Sequence, residues 1–204
     1  MGVLALDEPN DEVFLRAAVI DTTNGFAYFG SDGSPGTLVK VRLSDFTRVA
    51  ALKLDPGEDS LRSGVIDTAN GFLYFAATPV PKGKIVKIRL SDFTRVGALT
   101  LNDGERGFAA VIYSANGFVY FGTPTAPGAI VKVRLSDFSR VGAVTVTDLL
   151  VSAAIDPTNG FAYFSGTGGR VANRDRRLHD QDQSTRTNEQ SRHNSDQTLR
   201  SLAA

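Results

Sequence analysis

The chain has 204 residues, 42% of them apolar and 22% charged, with 22 basic and 22 acidic side chains and a formal net charge of zero. That balance gives no electrostatic case for a nucleic-acid partner or an anionic membrane surface. The absence of cysteine excludes disulfides, thiolate metal sites and cysteine nucleophiles.

Met1 to Leu6 is apolar but runs at once into Asp7 and Glu8, with no basic leader, so no targeting signal is read there. Lack of cysteine and of a leader leaves secreted and cytoplasmic locations both open. Beyond this segment, self-similarity organises the chain. Asn-Gly-Phe occurs at Asn24, Asn70, Asn116 and Asn159, spaced by 46, 46 and 43 residues. Arg-Leu-Ser-Asp-Phe occurs at Arg42, Arg89 and Arg134, spaced by 47 and 45. An Ala/Val-Ile segment precedes each Asn-Gly, as in Ala18-Val19-Ile20 and Gly64-Val65-Ile66.

Short apolar or alternating runs broken by turn residues predict four strands per unit. In the first unit these are A (Ala17 to Asp21), B (Phe26 to Gly30), C (Thr37 to Leu43) and D (Arg48 to Leu54). Asn24-Gly25 supplies the positive-φ position that closes the A–B hairpin. Strand B is apolar on both faces, Phe26 and Tyr28 on one, Ala27 and Phe29 on the other, which requires a sheet packed on either side. The uncharged stretch from Gly107 to Val131 has the length of a membrane span. Its Asn116-Gly117, Pro124, Pro127 and Gly128 assign it to strands and turns instead.

Four antiparallel strands in about 40–45 residues make a β-propeller blade. Ile155-Asp-Pro-Thr-Asn-Gly-Phe-Ala-Tyr163 resembles the second-strand motif of YVTN- and NHL-type propeller repeats, and Val39-Lys-Val-Arg-Leu-Ser-Asp-Phe-Thr-Arg-Val-Ala-Ala-Leu52 is similar to their third and fourth strands. The resemblance covers roughly residues 2–169 and implies the fold more than any activity. The Trp-Asp of WD40 blades and the Gly-Gly of kelch blades are lacking. The expected fold is all-β: blade copies at about 17–54, 63–101 and 109–146, a partial blade at 152–166, and an N-terminal strand at 2–6. Met1-Gly-Val-Leu-Ala-Leu6 matches Val96-Gly-Ala-Leu-Thr-Leu101, so the chain opens inside a fourth strand, and the whole reads as a fragment of a longer propeller.

From Arg170 the composition changes. All 13 Phe, five Tyr, 20 Gly and eight Pro precede it, whereas both His (His179 and His193) follow it. Residues 170–204 are expected to be a disordered polar tail. Back-translating Arg170 to Arg176 with a choice of degenerate codons and starting one nucleotide later recovers Gly-Ser-Pro-Thr-Ala-Ile-Val. That string resembles Gly33-Ser-Pro-Gly-Thr-Leu-Val39, displaced by two residues, so the tail is read as frameshift-derived, with a genuine polar tail as the alternative.

Catalytic candidates are few. Residues 1–169 hold no His or Cys, so Ser-His-Asp and Cys-His arrangements are excluded there, and no catalytic residue, metal ligand or cofactor is assigned. Gly30-Ser-Asp-Gly33-Ser-Pro-Gly36 leads into a strand, not the helix a phosphate loop needs, and the later copies keep no such glycine pattern. Asp21, Asp67 and Asp156 end three A strands, with Tyr113 as the third copy breaking the set. Such Asp residues accept hydrogen bonds within the following turn, a cation or ligand site being the alternative. The basic set Lys40, Arg42, Arg48 recurs as Lys87, Arg89, Arg95 and as Lys132, Arg134, Arg140. It is read as once-per-blade pairing with Asp45-type residues of the C–D turn rather than as a polyanion stripe.

The B–C and D–A loops vary while the strands repeat, so a ligand surface is expected there, with Asp32, Lys82, Thr125, Glu58 and Arg106 as candidate ligand-binding residues. The functional expectation is a non-catalytic binding module for a protein or carbohydrate partner, with no nucleic-acid or membrane partner. The competing class is a carboxylate- or metal-dependent hydrolase or lyase. Open blade edges predict self-association, as a dimer closing a ring of about eight blades.

Overall fold

The computed structural model describes residues 2–6, 14–169 and 171–174. Among the described residues fifteen strands form four antiparallel meanders. Blade 1 holds β1 (Leu15–Asp21), β2 (Phe26–Ser31), β3 (Thr37–Arg42) and β4 (Thr47–Lys53). Blade 2 holds β5 (Leu61–Asp67), β6 (Phe72–Ala77), β7 (Lys82–Arg89) and β8 (Thr94–Asp103). Blade 3 holds β9 (Ala109–Tyr113), β10 (Phe118–Gly122), β11 (Gly128–Arg134) and β12 (Ser139–Val146). The last, partial blade holds β13 (Leu150–Asp156), β14 (Phe161–Gly166) and β15 (Val171–Arg174). The first three are four-stranded and the last is three-stranded, each in sequence order. This is the expected all-β propeller architecture.

The Asn-Gly signal works as the sequence implies. Gly25, Gly71, Gly117 and Gly160 close the four A–B hairpins with φ of 72–79°, a region where a Cβ is strained. The uncharged stretch after Gly107 folds as β9, a short 3-10 turn at Ser114–Asn116, β10 and the start of β11. Among the described residues no helix is long and apolar enough to cross a membrane.

The blades pack face to face, and the strongest contacts between them run through the first strands, β1 to β5 to β9 to β13. Because strand B is apolar on both sides, each blade supplies one face to the blade before it and the other to the blade after. Between blades 1 and 2, Val19, Tyr28, Leu38 and Leu54 meet Leu73, Phe75, Val86 and Ile88. Between blades 2 and 3, Val65, Tyr74, Ile85 and Leu101 meet Val119, Phe121, Val131 and Val133. The third core, between blade 3 and the partial blade, is smaller, with Val111, Ile130, Leu150 and Phe164 at its centre.

Two expectations are corrected. The last unit does not stop after its second strand: β15 pairs with β14, Ser165 opposite Val171 and Ala162 opposite Arg174. Ladder hydrogen bonds use the backbone, so a segment unlike the other C strands in side chains still pairs. The expected tail therefore begins with a strand over 171–174, and its residues 175–204 lie outside the described residues. Second, Gly2 to Leu6, expected as a strand, joins none of the sheets. A fourth strand needs a third strand of its own blade beside it, and among the described residues none of the strands pairs with residues 2–6.

Candidate interaction surface

Antiparallel order places the B–C and D–A loops at the same end of every blade, and here they are bonded to one another. The Gly36 N–H donates to the Glu58 carbonyl at 2.9 Å, and the Gly83 N–H to the Glu105 carbonyl at 2.8 Å. Ser60 N–H reaches the Gly33 carbonyl at 3.0 Å and Thr78 N–H the Asp59 carbonyl at 2.8 Å. This close approach corrects the reading that the later B–C loops keep no glycine pattern. Gly36, Gly83 and Gly128 recur at one position because a Cβ there would meet the backbone oxygens of Glu58, Glu105 and Asp148 at 3.1, 2.6 and 2.2 Å. The loop end is thus a braced surface rather than a set of independent loops.

The five candidate residues divide on this frame. Asp32 bridges two blades, with one carboxylate oxygen 3.4 Å from Arg16 and the other 3.0 Å from Arg62. The Arg62 guanidinium also stacks 5.5 Å from the Phe108 ring of blade 3, and its Nε is enclosed without a hydrogen-bond partner. Lys82 pairs with Asp103 at 3.3 Å, both largely exposed. The Thr125 and Thr123 hydroxyls lie 3.0 Å apart. Arg106 is half-buried at the rim of the second D–A loop.

Glu58 does not belong with these exposed groups. It is fully buried. Its carboxylate accepts from its own loop at Asp55 N–H, 3.1 Å, and from Arg95 Nε and NH2 of β8 at 2.9 and 2.5 Å. Glu105 repeats the arrangement with Asn102 N–H and Arg140 of β12. Hydrogen bonding to the glutamate is the leading cause that raises the pKa of both arginines. Sequence reading treated these loops as freely variable. The signal was present in Asp55-Pro-Gly-Glu58 and Asn102-Asp-Gly-Glu105, where Glu recurs behind a positive-φ glycine.

At the opposite end the repeated polar residues have internal work. Asp21 accepts from Asn24 N–H at 3.0 Å and from the Asn24 side-chain amide at 2.8 Å, and Asp67 and Asp156 do the same with Asn70 and Asn159. In blade 3 the Tyr113 hydroxyl instead donates to the Pro157 carbonyl of the next blade at 3.0 Å. Arg42 pairs with Asp45, Arg89 with Asp92 and Arg134 with Asp137 at 2.8–2.9 Å. Hydrogen bonds from the Thr47, Thr94 and Ser139 hydroxyls, then the arginines, hold these three aspartates below the usual carboxylate range.

The repeated lysines are not a surface stripe either. Lys40, Lys87 and Lys132 place Nζ 3.9, 3.9 and 3.7 Å from the ring centroids of Phe26, Phe72 and Phe118. Such contact suits a partly desolvated ammonium, and burial lowers the pKa of Lys40 and Lys87 despite the opposing charge of Asp21 and Asp67. Among the described residues no group of three or more His, Cys, Asp or Glu is placed to hold a metal ion. A cavity of about 290 Å³ lies between β12 and β15, lined by Val146, Asp148, Val171 and neighbouring residues.

No protein-family model matches the chain. No curated protein matches it. Solved structures do match. The WD40 repeats of RRP9 align with a TM-score of 0.64 at 7% identity, over 80% of this chain and 52% of that one. The Pan2 WD40 domain of Neurospora crassa aligns with a TM-score of 0.63 at 11% identity, over 79% and 46%. The hydrazine synthase of Kuenenia stuttgartiensis aligns with a TM-score of 0.59 at 12% identity, over 77% and 53%. The chain spans about half the length of these structures. At such identities the likeness is one of fold, and the fold is a β-propeller.

Proposed function

We propose that this chain is a non-catalytic propeller module of the YVTN/NHL type, which binds a protein partner through its B–C and D–A loop surface and self-associates through its open blade edges. The observation that carries the reading is the division of labour among its polar groups. The repeated Asp, Arg, Lys and Glu residues are spent on turns, caps and blade junctions, while the non-repeated residues Asp32, Lys82, Arg106 and Thr125 occupy the braced loop end. Two of the solved propellers it resembles are WD40 domains, a propeller type generally used to bind proteins. A carbohydrate ligand at the same loops is the variant within this reading.

A carboxylate- or metal-dependent hydrolase or lyase is the alternative, and the hydrazine synthase among the structural neighbours is the observation on its side. Two measurements separate the readings. Charge reversal at Lys82 and Arg106, in a double variant with unchanged melting, is expected to weaken retention of a copurifying or added partner at least tenfold against the parent chain. Retention that is unaffected overturns the loop surface as the binding site. A large calcium-dependent rise in melting temperature counts for the metal-dependent alternative.

A further inference from the structure

The two ends of the row of blades complement each other. At each of the first two junctions one blade offers a Tyr from its second strand and the next offers a Phe from its C–D turn. Tyr28 meets Phe93 and Tyr74 meets Phe138, each with ring centroids 5.7 Å apart. Phe46 is that turn position in blade 1, and Tyr163 is that strand position in the partial blade. Both are open: Phe46 is 47% and Tyr163 38% exposed, whereas Tyr28 and Tyr74 are 1% exposed. Ile20 shares that face of blade 1 by repeat position and is 58% exposed, while its counterparts Ile66 and Ile112 pack into the internal cores with Phe93 and Phe138.

A missing strand and a spare strand accompany these faces. Among the described residues the sheet β13-β14-β15 has three members, and a fourth strand position beside β15 is open. Gly2-Val-Leu-Ala-Leu6 matches Gly97-Ala-Leu-Thr-Leu101 of β8 and joins no sheet among the described residues. It lies against the C–D turn of blade 1. A Cβ on Gly2 would stand 3.5 Å from the Phe46 ring, and Leu4 and Leu6 are half-buried while Val3 and Ala5 are exposed.

We propose that two copies of this chain join head to tail, the partial blade of each docking on blade 1 of the other, with residues 2–6 of one copy serving as the fourth strand beside β15 of its partner. Tyr163 then covers Phe46 across the junction as Tyr28 covers Phe93 within the chain. The two ends differ, so the contact is heterologous, and it closes only if the rotation per copy is half a turn. Each copy spans about half of the propellers it matches, and two copies give eight blades, within the usual range. The inference rests on the self-association reading above. In register with blade 1, where Val39 faces Ala51, Ala172 faces Val3 of the other copy.

The full chain in sedimentation equilibrium is expected at twice its chain mass. Ile20→Arg and Tyr163→Arg, each still melting cooperatively, are expected to sediment as monomers, while Val80→Arg, 78% exposed on a loop of blade 2, remains dimeric. Because the chain has no cysteine, mixed Val3→Cys and Ala172→Cys chains give a clean readout: under oxidation they are expected to form a disulfide-linked heterodimer that neither forms alone. A monomeric parent chain overturns both self-association and this junction. A dimer indifferent to Ile20→Arg and Tyr163→Arg, or a ladder of open oligomers, overturns the junction alone. A dimer without the 3–172 cross-link, or a double-cysteine chain that cross-links only within itself, overturns the strand exchange while self-association stands.

Discussion

The Glu58 carboxylate, wholly buried in the loop between blades 1 and 2, is held by Arg95 from the outer strand of blade 2. The two partners are not equivalent. Arg95 keeps Asp55 at 3.2 Å and about a quarter of its surface in water, whereas Glu58 without Arg95 retains only the Asp55 N–H. Removing one partner of a buried pair costs roughly 3–5 kcal/mol when it strands a charge. Arg95→Ala is therefore expected to destabilise by roughly 3 kcal/mol and Glu58→Ala by clearly less, measured by urea unfolding with an unchanged m-value. Equal losses would mean that the buried carboxylate is not the costly member.

Packing between blades sets a second expectation. A Cβ on Gly64 would lie 2.7 Å from the Phe75 ring and 2.8 Å from Val19, whereas one on Gly97 would meet nothing within 4 Å. Gly64→Ala forces the blade 1–2 junction apart and should cost about 1–3 kcal/mol. Gly97→Ala, at an open strand position, should be neutral or stabilise by up to about 1 kcal/mol. Thermal melts of the two variants side by side decide it.

Alkaline pH probes the same junctions. Burial first, and the Asp21 charge second, push the Tyr28 phenol up to about 12, and Tyr74 moves in the same direction for the same reasons with Asp67. A tyrosine in the unfolded chain ionises near about 10. Above that pH the unfolded chain holds fewer protons than the folded one, so stability is complete below about 10 and falls as pH rises toward 12. Tyr28→Phe is expected to flatten this alkaline loss, read from melting temperatures across the range, and to remove one late-ionising phenol from the tyrosinate absorbance titration.

We further propose that Arg170–Ala204 is frameshift-derived. In the register of β15, Asn173 stands opposite Tyr163, where Lys40 and Lys87 stand opposite Tyr28 and Tyr74. The encoding DNA, read one nucleotide later, is expected to give a Gly-Ser-Pro-like turn, an apolar strand and an Asp-Phe-like C–D turn. Their absence from that frame sinks the idea.

Much of this architecture was legible in the sequence because it depends on local chemistry repeated in each unit. Asn24-Gly25 specifies a hairpin wherever it stands, Asp21 finds its acceptor role three residues away in Asn24, and Arg42 finds Asp45 at the same spacing. Phe26-Ala-Tyr-Phe29 announces burial on both faces because its apolar run is unbroken. Glu58 was misplaced on the exposed loop surface because its partner is Arg95, 37 residues away and in the next blade. β15 was missed because a backbone ladder leaves little mark on side-chain pattern.

The sequence by itself therefore determined the repeat, the strand order and the turn chemistry, since these are settled by contacts within a few residues. Only the tertiary structure decided which repeated side chains are buried between blades. Lys40 and Arg42 alternate identically in the sequence, yet Lys40 lies over the Phe26 ring at the junction and Arg42 pairs in the open with Asp45. Nor does any local pattern show that Tyr28 is covered while Tyr163 is open. The reason is physical: a residue's own strand sets the direction of its side chain, but burial depends on whether another blade arrives to face it.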